Sequence, residues 1–558
     1  MRTKKLLIIM LVFASVECFS QDIGNIGKQK PFTFHGSIGL NLMAYAVDGI
    51  PARQLPFSYM ISANATATIY GIELPFSFVF SDKQRSYAQP FNQFGLSPRW
   101  KWITLHGGYR NVTFSEFTLA GHTFLGAGIE LNPSIFRFGF VYGRFDRKTT
   151  TSPVFETDSL PRFKRKGFAV KLGVGTEKNF FDLLFLRIRD DSSSLERPDS
   201  GAYRFPEQNV VAGFHSRFTF FKKLTWETEA AFSLYTTDMA AQPLLDSTSA
   251  SILLSLNKFL VINQSSEYYM AIRSFLQYKS KSWSLKLEYR RIDPKYRSMG
   301  AYFFSNDVEN LTLSPYISLF KRKLTLSGSI GLQRDNLKGG KLATSLRTIG
   351  NVNVSFNPSY KFGVDLNYGN YGTSQSAGRL PLNDTTKVHQ AMHNLSVMPR
   401  LMFMNTEKSH MIFLMYNMSM FYDQNQFTSS LTYFVSHIGQ LNYSLGLIKT
   451  KWTFTFGLTY TSFSTCPSTN TGTGGTLGVS KLFFKDKLSL SWNNSLIRSV
   501  SDSDKGWVLN SNLTGNYRVH KHHAIKLNVY FTGNYNDPGS LSKSFNEIKG
   551  DLGYVYTF

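Results

Sequence analysis

From about residue 32 onward the chain is a succession of segments of roughly ten residues in which apolar and polar or small side chains alternate. That period of two is what a strand shows when its two faces meet different surroundings. Trp452, Phe454, Phe456, Leu458 and Tyr460 share one face, and Thr453, Thr455, Gly457 and Thr459 the other. Tyr360, Phe362, Val364, Leu366 and Tyr368 stand against Lys361, Gly363, Asp365 and Asn367 in the same way. Among the clearest segments only Tyr530 and Val555 intrude on the polar face.

A soluble sandwich alternates too, so the pattern alone does not decide the surroundings. Three features favour a membrane. Aromatic residues end the apolar faces, as at Trp283 and Tyr289 or Trp452 and Tyr460, where girdles meet the two interfaces. The strands outrun the usual five or six residues. The connections between them alternate between very short and long, the asymmetry of an outer-membrane barrel with tight periplasmic turns and extended surface loops. Eleven short and twelve long connections predict an all-β fold, a single transmembrane antiparallel up-and-down β-barrel of about 24 strands, within a range of 22 to 26. The weakest point is the segment 82–120, where Trp100 to Gly108 and Val112 to Leu119 read either as an extra hairpin or as a folded-in loop.

Composition narrows the classes further. Of the 558 residues only 18% are charged, while Phe (49) and Tyr (28) are abundant, which argues against disorder and against a charge-rich cytosolic enzyme. The longest apolar run, Leu6 to Val16, is too short to span a bilayer as a helix. With Arg2, Lys4 and Lys5 before it and Cys18 and Ser20 ahead of Gln21, it reads as a cleaved signal peptide. The expected organisation is therefore a signal at 1–20, a short periplasmic segment at 21–31 and a barrel over 32–558. Cleavage would leave Cys466 as the single cysteine, with no disulfide framework and no cysteine-based metal site. The expected location is the outer membrane of a Gram-negative cell, reached by export.

At the other end, Leu552, Tyr554, Tyr556 and the terminal Phe558 resemble the signal by which the barrel assembly machinery recognises a last strand, so that machinery is an expected partner during biogenesis. So few residues flank the barrel region that neither an N-terminal plug of more than a hundred residues nor an appended peptidoglycan-binding domain is expected.

A ring this wide would be an open hole unless filled. One filling is by inward-folded loops, giving a porin-like channel for small, anionic solutes. The candidate loops are 82–120 and 237–265. The former carries Arg99, Lys101, His106 and Arg110, the candidate pore constriction, because clustered cations lower the barrier to anions. The alternative is a structural or accessory barrel subunit of an outer-membrane secretion or protein-assembly complex. Lysines in the short turns, among them Lys222, Lys223, Lys321, Lys323, Lys485 and Lys487, can meet either an envelope protein partner or phospholipid phosphates, and outer-membrane lipid and lipopolysaccharide are expected neighbours.

No catalytic motif is present, so no enzyme and no cofactor are expected. Glu227 and Glu229 lie two apart on one strand face, and His520, His522 and His523 share a turn, but a polar lumen and a solvated turn account for them. The excess of 61 basic over 37 acidic residues is dispersed, which argues against nucleic acid.

The whole chain resembles the outer-membrane β-barrel proteins of Bacteroidota. The resemblance rests on Ser20 before Gln21, the aromatic-rich hairpins, the terminal Phe558, and the block from Phe94 to Pro133, with FGLSPRWKW and FTLAGHTFLGAGIELNP. It implies location and fold, and carries over no functional residue.

Overall fold

In the computed structural model the described residues are 31–69, 72–82, 93–149, 161–195, 205–243, 260–301, 305–379, 381–385 and 387–558. The expected leader and its cleavage point, residues 21–30, the turn 70–71 and the middle of the 237–265 loop lie outside them.

Among the described residues, 26 strands form one closed antiparallel barrel. Each strand pairs with the next in sequence, and Phe32–Asp48 pairs both with Phe57–Ile69 and with the last strand, Phe545–Thr557, closing the ring. The described helices are a four-residue α-helix, Ser429–Thr432, and a 3-10 turn, Ser192–Ser194. Closure leaves no free sheet edge, so each described strand has a neighbour on both sides to pair with, in a setting where lipid offers no hydrogen bond.

The ring has one hairpin more than the 24 strands read from the sequence. The extra pair comes from the 82–120 segment. Gln93–Leu96 and Arg99–Trp100 are two pieces of one strand, interrupted at Ser97 and Pro98, and they pair with Ile103–Asn111. Proline has no amide to give the ladder, hence the break. The tight turn at Lys101 and Trp102 escapes notice because Lys101 takes the left-handed backbone, with φ of 50°, in place of the glycine that usually marks such a turn. The remaining part, residues 112–122, is the folded-in loop.

Parity along each strand separates lipid from lumen. Leu458 (66% exposed), Leu477 (60%) and Leu332 (54%) lie on the outer belt, with Trp283, Trp452 and Tyr460 near its margins. Polar atoms on this outer face satisfy one another across strands. Trp492 Nε1 donates to Ser511 Oγ at 2.9 Å, and Tyr416 and His437 share a hydrogen bond of 2.9 Å. The last residue is anchored to the first strand: Phe558 N donates to Gly36 O at 3.0 Å, Gly36 N to Phe558 O at 3.2 Å, and the Phe558 ring stacks on Phe34 at 4.4 Å.

Candidate functional site: a lumen plugged on one side

The strand Phe180–Asp190 shows why one sector of the barrel differs. Its lumen-facing side chains Leu184, Leu186 and Ile188 are buried, while Phe181, Leu183 and Phe185 face lipid, so it is apolar on both faces. An apolar lumen wall needs a cover, and residues 112–122 supply it. Val112, Phe114, Phe117 and Leu119 turn back into the barrel and join Val141, Val211, Ile292, Tyr296 and Met299 in a buried cluster whose members all fall between Val112 and Val308. The loop is a compact turn, with Phe114 N on Leu119 O at 2.9 Å and Ser115 Oγ against Thr118 Oγ1 at 2.8 Å.

A second segment, within 293–307, clamps the first. Tyr296 Oη donates to Phe117 O at 2.7 Å, Ser298 Oγ donates to Thr118 O, and Ala120 N donates to Gly300 O at 3.0 Å. Gly300 has to be glycine here, since a Cβ would stand 2.4 Å from Leu186 Cδ1 and 2.7 Å from Thr118 O. Both segments are fixed to the wall. Glu229 accepts from Phe117 N at 2.8 Å, Glu116 pairs with Arg290 (2.6 Å) and Arg273 (3.3 Å), and Met299 N donates to Asn209 Oδ1 at 2.9 Å. The carboxylates Glu227 and Glu229 therefore have separate duties. Glu227 is held by Arg217 (2.6 Å) and His215 (3.0 Å) on the wall, whereas Glu229 holds the plug.

Beneath the plug, at the tight-turn end, lies a pocket of about 830 Å³ lined by Arg99, Lys101, Glu130, Arg137, Lys171 and Lys178, among others. Its wall is partly neutralised: Arg137 makes a two-pronged pair with Asp182 at 2.7 and 2.9 Å, and Lys171 meets Glu130 at 3.2 Å. Lys171 also lies over the Phe114 ring at 5.0 Å, so the pocket touches the plug directly.

Of the four residues expected at a constriction, Arg99 and Lys101 line this pocket. His106 stands behind it, sharing hydrogen bonds with Ser97 Oγ (2.9 Å) and Glu130 Oε1 (3.1 Å). Arg110 does not join them; it reaches back over Gly95 to Pro75 O at 3.4 Å. All four are in or next to the wall hairpin rather than on an inward loop, because the fold turns at Lys101 and Trp102. The sequence reading missed the clamp at 293–307 and the part of Glu116. The available signal was a set of wall strands lacking a polar face.

The other half of the lumen, from Leu324–Arg334 round to Phe57–Ile69, is different. Among the described residues no loop packs over it. Its inner face carries amides and hydroxyls such as Thr455, Thr476, Asn493, Asn510, Asn512 and Thr532, which line a small recess of about 250 Å³. Among the described residues there is no group of three or more His, Cys, Asp or Glu arranged to hold a metal.

A closed barrel with an apolar outer belt, a polar lumen and an internal plug defines a membrane-spanning protein of the outer-membrane type. No protein-family model matches the chain, and no curated protein does. Solved structures that align with it include OccAB2 from Acinetobacter baumannii, at 9% identity over 68% of this chain and 97% of that one, with a TM-score of 0.30. The FrpB iron transporter from Neisseria meningitidis aligns at 11% identity over 96% and 83%, with a TM-score of 0.36. OprD from Pseudomonas aeruginosa aligns at 12% identity over 68% and 92%, with a TM-score of 0.30. None of these likenesses extends to a solute for this chain, and the fold rests on the strand pairing itself.

Proposed function

We propose that this protein is an outer-membrane channel for small solutes, with a preference for anions imposed at its periplasmic vestibule. The observation that carries the reading is the division of the bore: one sector is filled by a clamped plug, while the opposite wall is polar and, among the described residues, uncovered. A passage bounded in this way is narrower than the ring yet wetted along one side. Arg99, Lys101, Arg137, Lys171 and Lys178 outnumber Glu130, Glu177 and the Asp182 that pairs with Arg137, and this positive excess raises the local concentration of anions in the vestibule. Export by a cleaved leader and recognition of the last strand by the assembly machinery belong to the same reading.

The test is single-channel conductance of the purified barrel in a planar bilayer, with reversal potentials under a salt gradient. Discrete steps with anion preference, moved toward cations in Arg99→Glu, Lys101→Glu, Lys178→Glu, are expected. Steps whose selectivity does not move would remove the anionic version. Silence from a folded barrel would remove the channel itself and favour an accessory subunit, a reading that draws on the tight turns. There Phe221 (91% exposed), Phe320 (70%) and Phe484 (67%) each precede lysine, forming a sticky, positive rim for a partner or a lipid leaflet.

A further inference from the structure

Eight of the 15 methionines fall between residues 392 and 420, on two neighbouring strands, His389–Met404 and Lys408–Asp423. Six of them share the lumen parity: Met392, Met398, Met402, Met404, Met411 and Met415. The parity is fixed by Arg400 of the same strand, which pairs across the inner wall with Asp365 at 2.8 Å, and by Ser419, which bonds Asn394 at 2.7 Å. The lipid-facing positions between them are filled by Leu401, Phe403, Ile412 and Leu414. Over this stretch, ordinary hydrocarbon serves the membrane and thioether serves the water side. Met418 and Met420, nearer the long loops, depart from this by facing lipid.

The register brings the sulphurs together. Met402 is paired directly with Met411. Met398 and Met415 fall opposite one another between the pairs Val397 with Tyr416 and Arg400 with Phe413. Opposed side chains in an antiparallel pair start about 5 Å apart at Cβ, and methionine has three rotatable bonds with which to close the gap. Met404, two residues on and 61% exposed, lies on the same face beside the first pair. The two groups are about 13 Å apart along the strand at 3.3 Å per residue. These thioethers do not belong to the buried cluster, which lies on the opposite side of the bore. Neutral, polarisable sulphur facing water is poor packing material but a good ligand for soft monovalent cations.

We propose that this ladder binds a soft monovalent cation of the copper(I) or silver(I) type, with Met402, Met404 and Met411 as the main site near the periplasmic mouth and Met398 with Met415 as a second step above it. Binding is coordination only, with no change of oxidation state. It does not depend on the barrel conducting ions, so it can fail or hold independently of the channel reading.

The experiment uses the folded full chain in detergent with Cys18→Ser and Cys466→Ser, because free thiols take the same metals, and silver(I) as the probe because it needs no reductant. Calorimetry and X-ray absorption are expected to show saturable binding with sulphur scatterers, unaffected by excess zinc. Met402→Leu, Met404→Leu, Met411→Leu is expected to weaken it at least tenfold, and Met398→Leu, Met415→Leu severalfold. Leucine preserves volume, and heat-modifiable migration on gels reports that each variant is folded. No saturable binding, or binding undiminished in the folded triple variant, would overturn the proposal.

Discussion

The two halves of this barrel are built from the same kind of hairpin, yet they treat their inner faces in opposite ways. From Thr123–Leu131 to Val308–Leu319 the wall carries Val141, Leu184, Leu186, Val211 and Ile292 toward the lumen and needs the plug to cover them. From Leu324–Arg334 round to the closing seam the wall carries Asn, Thr, Ser and Met and needs no cover. In the first half stability and occlusion are one property, since the residues that block the bore are also its core. In the second half the wall is held by ladder hydrogen bonds and the lipid belt, and among the described residues no loop packs over its inner face.

The largest expected effect comes from erasing the difference. Replacing residues 113–121 by a short Gly/Ser linker should raise single-channel conductance severalfold, because the bore would approach the full ring. It should also lower thermal stability by exposing Leu184, Leu186 and Ile188. Unchanged conductance would mean that the plug seals nothing.

Next in size is a loss confined to the half without a plug. The seam there depends on Phe558 stacking on Phe34 and on two backbone hydrogen bonds to Gly36. Deleting Phe558, or making Tyr556→Ser with Phe558→Ser, should cut the assembled, heat-modifiable protein severalfold in membrane fractions. Normal amounts would show that the uncovered half closes without this anchor.

The smallest effect sharpens the comparison through pH. Burial holds the His122 imidazole, at the end of the plug loop, below its ordinary range. Asp307, in the clamp segment, would be raised by burial, but the Lys341 ammonium and the amides of Leu337 and Asn336 outweigh that and hold its carboxyl low. Each group binds its proton more weakly when folded than when released. Its contribution is therefore present above the ordinary value and lost as pH falls through the folded one. The plug half should loosen first below about pH 6.5 through His122 and again below about pH 4 through Asp307, while the opposite half does not follow. Hydrogen exchange at residues 112–122 should quicken a few-fold from pH 7.5 to 5.5 after correction for intrinsic rates, and this should vanish in His122→Gln. An equal quickening in both halves would deny the plug its own pH response.

The architecture is legible along the chain, because a barrel in lipid writes its pattern locally. Each strand must alternate, each girdle needs Trp or Tyr, and each tight turn needs a few polar residues. The turns at 221–223 and 448–451 and the seam at Phe558 were all legible on those grounds. Where the pattern failed, the cause was tertiary. Lys101 turns the chain without glycine, so the local pattern leaves hairpin and folded-in loop equally open for the segment that carries Arg99, Lys101, His106 and Arg110. Leu184 and Ile188 look like violations of alternation until Phe117 and Tyr296 are seen to join them in one buried cluster, from positions about 70 and 110 residues away that local periodicity cannot register. The methionine ladder lies between these cases: its density is visible in the sequence, but only strand pairing sets Met402 opposite Met411 and turns both toward the bore.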